Sequence, residues 1–492
     1  MGNKSQLKKQ IILNVRRNDI RVALRENGEL TEFYIERSGI VSSIGNIIKG
    51  RIESIREELK ASFVDIGENE AGFLPLKDLY ASIKNKNKDL INSDIIVQVK
   101  KEAYGTKGAR LTTFIAIPGR YLVLLPFRSL IGISRNIKNK REKKRLQNFA
   151  NKILPKDLGF IIRTVAQEKP IKVLKTESVK LLNEWKNIKR KMKSEKAPSV
   201  LWKEQELPIK ITRDLLDNTV GELVVDSKKA YKKIYDYLSS RKSIFLDRIK
   251  YYNESLPIFT HYSIEQEMRK IFRRKIWLKS GGYIIIDKTE AMTIFDVNSG
   301  KYKGNKDTEE MIYKTNSEAA FEISRQLRLR DIGGIIIIDF IDMKDKNNER
   351  SLIDRFKSYL ERDKARFKIA NSLSNYGLLE MTRERVRRSI SKSFIEPCPY
   401  CDGKGHVLTP SYLFSKFTSW IEEKKSILRN TRIRILANPN VANYFETEGR
   451  EFLEHFCEVN KMHIEVMSGE DQSMESIKII TARKDEILTE EI

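Results

Sequence analysis

One stretch restricts the fold of this chain more than any other: "GGYIIIDKTEAMTIFDVNSG", followed after a helical segment by "IIIIDFIDM". The first part reads as two strands around a tight turn at residues 288–290, the second strand ending at Asp296. Asp307, with Glu310 three residues later, is an N-cap signal. Met311, Ile312, Ala319, Ile323 and Leu327 then recur at helical spacing as far as Arg330. Gly333-Gly334 stops that helix, and a continuous apolar strand runs to Asp339. Strand, helix and strand in that order form a crossover unit, which makes the two strands parallel. Asp296 and Asp339 then both emerge at carboxyl ends, the edge where open α/β sheets place their ligands.

Two neighbouring carboxylates repel unless a proton or cation lies between them. A hard divalent cation with oxygen ligands and retained waters, most simply Mg²⁺, resolves the conflict and suits phosphoryl chemistry. Asn298 could donate to a non-bridging phosphate oxygen without adding charge, and Gly300 and Gly304 let backbone amides approach an anion. The competing reading makes both aspartates turn formers and Asn298 the centre of an Asx-turn.

The balance of charge narrows the partner. Lys and Arg number 93 against 67 acidic residues, a formal charge of +26. Such a field favours polyanions, nucleic acid before anionic membrane, although an AT-rich genome would also inflate Lys, Ile and Asn. No apolar run reaches the roughly 18–20 residues of a membrane helix. The N-terminus moves into strand-like alternation without the h-region of a signal peptide, so a cytoplasmic location and no membrane partner are expected. Three cysteines indicate a reducing compartment without a disulfide framework. With four histidines, Ser-His-Asp or Cys-His catalysis finds no sequence context.

At 492 residues the chain has room for two to four domains. "IILNVRRNDIRVALRENGELTEFYIER" alternates around Asn27-Gly28, a hairpin or meander signature. The next segment offers short strands in which Phe63 and Phe73 stand among Lys49, Arg51, Lys60 and Lys77. A small OB-type barrel would use such aromatics for base stacking, or bury both in its core. "LTTFIAIPGRYLVLLP" reads as a strand pair, and "RNIKNKREKKRLQNFANK" as a basic helix able to track phosphates. Arg163 and Thr164 follow the apolar strand "LGFII", and a charged helix is expected over residues 178–193. "KITRDLLD…GELVVDSKKAYKKIYDYL" reads as strand and helix of a further α/β unit.

"PCPYCDGKGHV" carries Cys398 and Cys401 as a C-x-x-C. Two thiolates fit Zn²⁺, but a structural zinc needs four ligands. His406 lies close to the second cysteine for a chelate, and Cys457, beside Leu453 and Phe456, reads as a core residue. The same loop from a second subunit would complete a Cys₄ site on a two-fold axis. A redox pair is the alternative, although Pro399-Tyr400 sits in no thioredoxin-like context.

The segments "GNIIKGRI", "ASFVDIGENEAGFLPL", "KGARLTTFIAIPGRYLVLLP", "GFIIRT", "FDVNSGK", "SEAAFEISRQLRLRDIGGIIIIDFIDM" and "CPYCDGKG" occur in the order in which the bacterial ribonuclease E/G family carries them. The chain resembles that family over nearly its whole length and, with no long C-terminal extension, its ribonuclease G branch. The resemblance implies an α/β and α+β multidomain protein. An RNase H-like domain (1–37 and 209–271) would hold an inserted OB-fold RNA-binding barrel (38–118) and a 5′-monophosphate sensor (119–208). A DNase I-like catalytic α/β domain (272–396), a zinc link (397–406) and a small C-terminal domain (407–492) would follow.

The implied activity is that of a Mg²⁺-dependent endoribonuclease. It would cut single-stranded, A/U-rich RNA, leave a 5′-phosphate on the downstream product and respond to a 5′-monophosphate. Ribosomal RNA precursors and mRNA would be its substrates, in rRNA processing and mRNA decay. The family motif gives Asp296 and Asp339 to magnesium, with Asn298 assisting at the scissile phosphate. Cys398 and Cys401 fall to a zinc shared between subunits of a homodimer or dimer of dimers. Gly119, Val123, Arg163, Thr164 and Arg366 match the 5′-phosphate pocket, and Phe63, Phe73 and Lys107 match RNA-contacting positions. Ile48 stands where the family commonly shows an aromatic, an expected weakening of one stacking contact, and residues 127–132 match poorly. A non-catalytic RNA- or ribosome-binding factor is the alternative, ahead of a small-molecule phosphatase.

Overall fold

The computed structural model describes residues 9–37, 43–79, 90–103, 107–241, 243–300, 308–386, 390, 394–396, 398–401, 403–469, 472–481 and 487–489. The chain divides into two compact units, Met1–Arg387 and Arg388–Ile492.

The first unit opens with the antiparallel meander β1 (Lys9–Val15), β2 (Asp19–Glu26) and β3 (Glu29–Arg37). Asn27 and Gly28 both take positive φ, 52° and 86°, as a two-residue hairpin turn requires. A closed five-stranded barrel follows: β4 (Ile47–Arg56), β5 (Ala61–Asp65), β6 (Gly72–Pro75), β7 (Asp94–Lys101) and β8 (Arg110–Thr112), sealed by pairing of β4 with β7. Ile52, Val64, Leu74, Val97 and Leu111 fill it. Ile48 is buried among them at 2% exposure, so its position packs the barrel and is not a surface stacking site.

A four-stranded sheet comes next, built from β9 (Ile117–Pro118), β10 (Leu122–Leu125), β11 (Ile131–Ile133) and β12 (Gly159–Ile162). The basic helix Lys140–Ile153 and the helix Ile171–Ser194 cover it. The latter begins seven residues before the expected Ser178 (178 − 171) because Pro170 caps it. Its buried face, Leu174, Leu181, Trp185 and Ile188, is interleaved with enough lysines to mask the first turns in the sequence. β13 (Ser199–Trp202) returns to the barrel. "KITRDLL" belongs to a helix, Leu207–Leu215, not a strand, since Pro208 starts it and Ile211 and Leu215 share a face one turn apart. β14 (Val220–Val225) and β15 (Ile249–Tyr251) then join β1 in parallel, so two distant segments make one sheet, β15-β14-β1-β2-β3.

The last sheet of this unit has the order β16-β17-β18-β19-β21-β20. Its strands are β16 (Lys275–Trp277), β17 (Tyr283–Lys288), β18 (Met292–Asn298), β19 (Gly334–Asp339), β20 (Phe367–Ile369) and β21 (Leu378–Arg383). β18 continues two residues past Asp296. The helix Thr308–Leu329 joins β18 to the parallel β19, while Asp307 and Gly304 lie outside the described residues. Phe295, Val297, Ile336 and Ile338 pack one face against Ala319, Ile323 and Leu327 of that helix. At the helix end the buried Arg328 bonds Glu26 and Glu32 at 2.9 and 2.8 Å, fastening the crossover to the split sheet.

The second unit carries a four-stranded sheet, order β23 (His463–Ser468), β22 (Arg432–Ala437), β24 (Lys478–Thr481), β25 (Ile487–Thr489). Helices Pro410–Leu428, Pro439–Glu446 and Arg450–Asn460 pack on it. Among the described residues no helix is long and apolar enough to cross a membrane.

Candidate active site

Asp296 of β18 lies directly opposite Asp339 of β19 in the parallel ladder, so their backbones are about 4.8 Å apart. Both face away from the core, because their neighbours Phe295, Val297 and Ile338 point inward. They line a cleft of about 330 Å³ with Asn298, Ser299, Ile341 and Asp342. Burial, then the charges of Asp296 and Asp342, push the Asp339 carboxyl up. Asn298 donates its amide N–H to Asp296 Oδ2 at 2.8 Å, fixing that carboxylate and leaving a second N–H for another acceptor.

Asp342 stands three residues after Asp339 in the quoted segment, beyond the end of β19. The buried Asn316, on the crossover helix, holds this edge in place. Its amide donates to Ile341 O at 2.8 Å and accepts from Ile341 N at 3.0 Å. An amide inside an amphipathic helix carries no sequence signal of such a role. Among the described residues no three carboxylate, histidine or cysteine side chains converge into a protein-only metal cage. Paired aspartates with a third at the rim fit a cation that retains several waters, as Mg²⁺ does.

Residues 116–386 match the sequence profile of the Ribonuclease E/G family. Over 453 residues the chain is 35% identical to Ribonuclease G of Escherichia coli (strain K12), covering 89% of this chain and 92% of that relative. The chain belongs to the ribonuclease E/G family. It is also 34% identical over 483 residues to Ribonuclease E of Haemophilus influenzae, covering 96% of this chain and 51% of the relative. For Ribonuclease E of E. coli the figures are 36% over 457 residues, 90% and 43%. The chain thus spans about half the length of the ribonuclease E relatives it matches.

The other positions matched to the ribonuclease E/G family fall at three places. Around β10, Arg163 Nη1 donates to Gly119 O at 2.9 Å and to Asp214 Oδ1 at 2.7 Å. Thr164 and Ser134 share a 2.7 Å hydroxyl hydrogen bond. Gly119 has no room for a side chain, since a Cβ would lie 2.8 Å from Leu122 O and 2.9 Å from Glu177 Cδ. Glu177, which carried no sequence signal, accepts the N–H groups of Arg120, Tyr121 and Leu122 and so shapes the turn leading to Val123. Arg366 is exposed, 4.0 Å from Glu384. Burial pushes the Lys364 ammonium, two residues before it, down, against the charges of Glu32 and Asp214.

On the barrel, Phe63 and Phe73 pair across β5 and β6 with ring centroids 6.0 Å apart. Both are half-buried and outside the barrel core, which removes the core reading. Arg56 lies over Phe63 at 5.4 Å, and Lys107 is exposed.

In the second unit, backbone N–H groups of Tyr400 and Cys401 hold the Cys398 thiol below its ordinary range. Gly405 N donates to Cys401 Sγ at 3.2 Å. Donors aimed at sulfur suit thiolates, and hence a thiolate-bound metal. Cys457 packs against the core of this unit, and burial pushes its thiol up. His406 is exposed.

Proposed function

We propose that this chain is an endoribonuclease that cleaves single-stranded RNA at the Asp296–Asp339 edge with Mg²⁺ as cofactor. The observation that carries the reading is the in-register pairing of those two carboxylates in a cleft, in a chain of the ribonuclease E/G family. Mg²⁺, when bound, supplies charge neutralisation at a phosphate and activation of an attacking water. Asp296 and Asp339 hold it, Asn298 orients Asp296 and offers its remaining N–H to a phosphate oxygen, and Asp342 adds negative charge at the rim. The net charge of +26 draws the polyanion in.

The remaining properties belong to the same proposal. Arg163 and Thr164, with Gly119, Val123 and Arg366, recognise a 5′-monophosphate that stimulates cleavage. Phe63, Phe73 and Lys107 hold unpaired, A/U-rich RNA by stacking and charge. The products carry 5′-phosphates, and the reaction serves rRNA processing and mRNA decay in the cytoplasm. Cys398 and Cys401 share one Zn²⁺ with the same pair of a second subunit, linking a homodimer or dimer of dimers. About one zinc per two chains, lost with the dimer in Cys398→Ser, is the expected metal analysis; a monomer holding a full zinc would refute the link.

The direct test is Asp296→Asn on a 5′-monophosphorylated A/U-rich oligonucleotide. Mg²⁺-dependent cleavage should vanish while binding persists. Undiminished cleavage would remove Asp296 from the chemistry, and binding without cleavage by the wild type would favour a non-catalytic RNA- or ribosome-binding factor.

A further inference from the structure

The catalytic face does not end at Asp296. Asp296 pairs with Ile285 and Ile285 with Lys275, while Asn298 pairs with Tyr283 and Tyr283 with Trp277. Residues directly opposite across a ladder share a face, as do residues two apart along a strand. Lys275, Trp277 and Tyr283 therefore stand on the same face as Asp296 and Asn298, with Trp277 about 10 Å from Asn298 across two strand spacings. Trp277 is 62% exposed. Its ring meets Tyr283 edge to face at 5.4 Å, and Lys275 Nζ lies 4.1 Å from the Trp277 ring and 3.6 Å from the Tyr283 ring.

The turn between β16 and β17 is built into the site. A Cβ on Gly300 would lie 2.4 Å from Gly281 O, and one on Gly282 would lie 2.7 Å from Asn298 O. Ser280 N donates to Glu318 of the crossover helix at 2.7 Å, which anchors the turn to the helix joining the two aspartate strands.

We propose that Trp277, with Tyr283 and Lys275, is a base-stacking subsite that holds an unpaired nucleobase of the RNA next to the scissile phosphate. This rests on the endoribonuclease reading and adds to it the groups that position the strand at the carboxylates. An exposed indole and a lysine beside it suit a base and its phosphate together. A second copy of the chain is the poorer occupant, because β16 is a three-residue edge strand between Arg274 and Lys279, too short and charged for strand pairing.

The test uses the full chain and a single-stranded 5′-monophosphorylated A/U-rich oligonucleotide. Trp277→Ala should raise KM about tenfold with kcat little changed, and Trp277→Phe should recover most of the loss. In Mg²⁺-free binding titrations with a single abasic nucleotide placed in turn at each position of the oligonucleotide, at least one position should weaken binding to the wild type but not to Trp277→Ala. Equal abasic effects in both proteins would overturn the subsite. So would a Trp277→Ala variant whose only change is its oligomeric state by light scattering, which would assign the face to self-association. If the wild type failed to cleave, the endoribonuclease reading would fall, while the Mg²⁺-free titration would still decide the subsite.

Discussion

Asn316 bears no charge and does not line the cleft, yet it satisfies both backbone groups of Ile341, between Asp339 and Asp342. Asn316→Leu keeps the branched shape and leaves the partly buried N–H and C=O of Ile341 unpaired, a cost of about 1–3 kcal/mol. Urea unfolding should show that loss, and cleavage should fall further than stability because the Asp339 edge loosens. Full activity at reduced stability would limit Asn316 to packing. Asp296 and Asp339 were legible in the sequence because an apolar run ends at each, although β18 continues two residues past Asp296. Asn316, Glu177 and Trp277 were not. A buried amide, a buried carboxylate and an exposed indole look like ordinary members of their helix or strand until the neighbouring elements are in place.

At the scale of elements, the crossover unit and the meander followed from local pattern, because turn chemistry and a single amphipathic period decide them. The helix Leu207–Leu215 and the early start of Ile171–Ser194 did not, since charged residues interrupt their apolar faces. The turn before β10 illustrates what only assembly reveals: Gly119, Arg163 and Asp214 come from three elements. Burial works against the Asp214 carboxylate, but Arg213 and then Arg163 hold it below its ordinary range. Arg163→Ala should erase the preference for 5′-monophosphate over 5′-hydroxyl RNA, measured as the ratio of kcat/KM on the two substrates. An equal loss on both would assign Arg163 to bracing the turn instead of reading a phosphate.

For the whole molecule, the joint between the split sheet and the sheet that carries Asp296 and Asp339 is electrostatic. Burial alone would raise Glu32, but Lys364 and Arg328, with hydrogen bonds from Tyr34 and Arg328, bring it from 4.5 to about 2. A depressed carboxylate stabilises the fold above its unfolded value, and that contribution disappears as pH falls from 4.5 towards about 2. Glu32→Gln should therefore be less stable near about pH 7 yet lose less stability than the wild type on acidification to about pH 3, read by denaturant titration. Parallel acid profiles would show that Glu32 contributes nothing to the joint.

Asp296 and Asp339 are proposed to hold the Mg²⁺ that cleavage requires. Single-turnover cleavage of a 5′-monophosphorylated A/U-rich RNA, followed across a Mg²⁺ titration for the wild type, Asp296→Asn and Asp339→Asn, tests it most directly. Saturable Mg²⁺-dependent cleavage by the wild type is expected, with neither variant cutting at any Mg²⁺ concentration while both still bind RNA. Wild-type cleavage undiminished in chelator, or a variant cutting at the wild-type rate, would contradict the assignment.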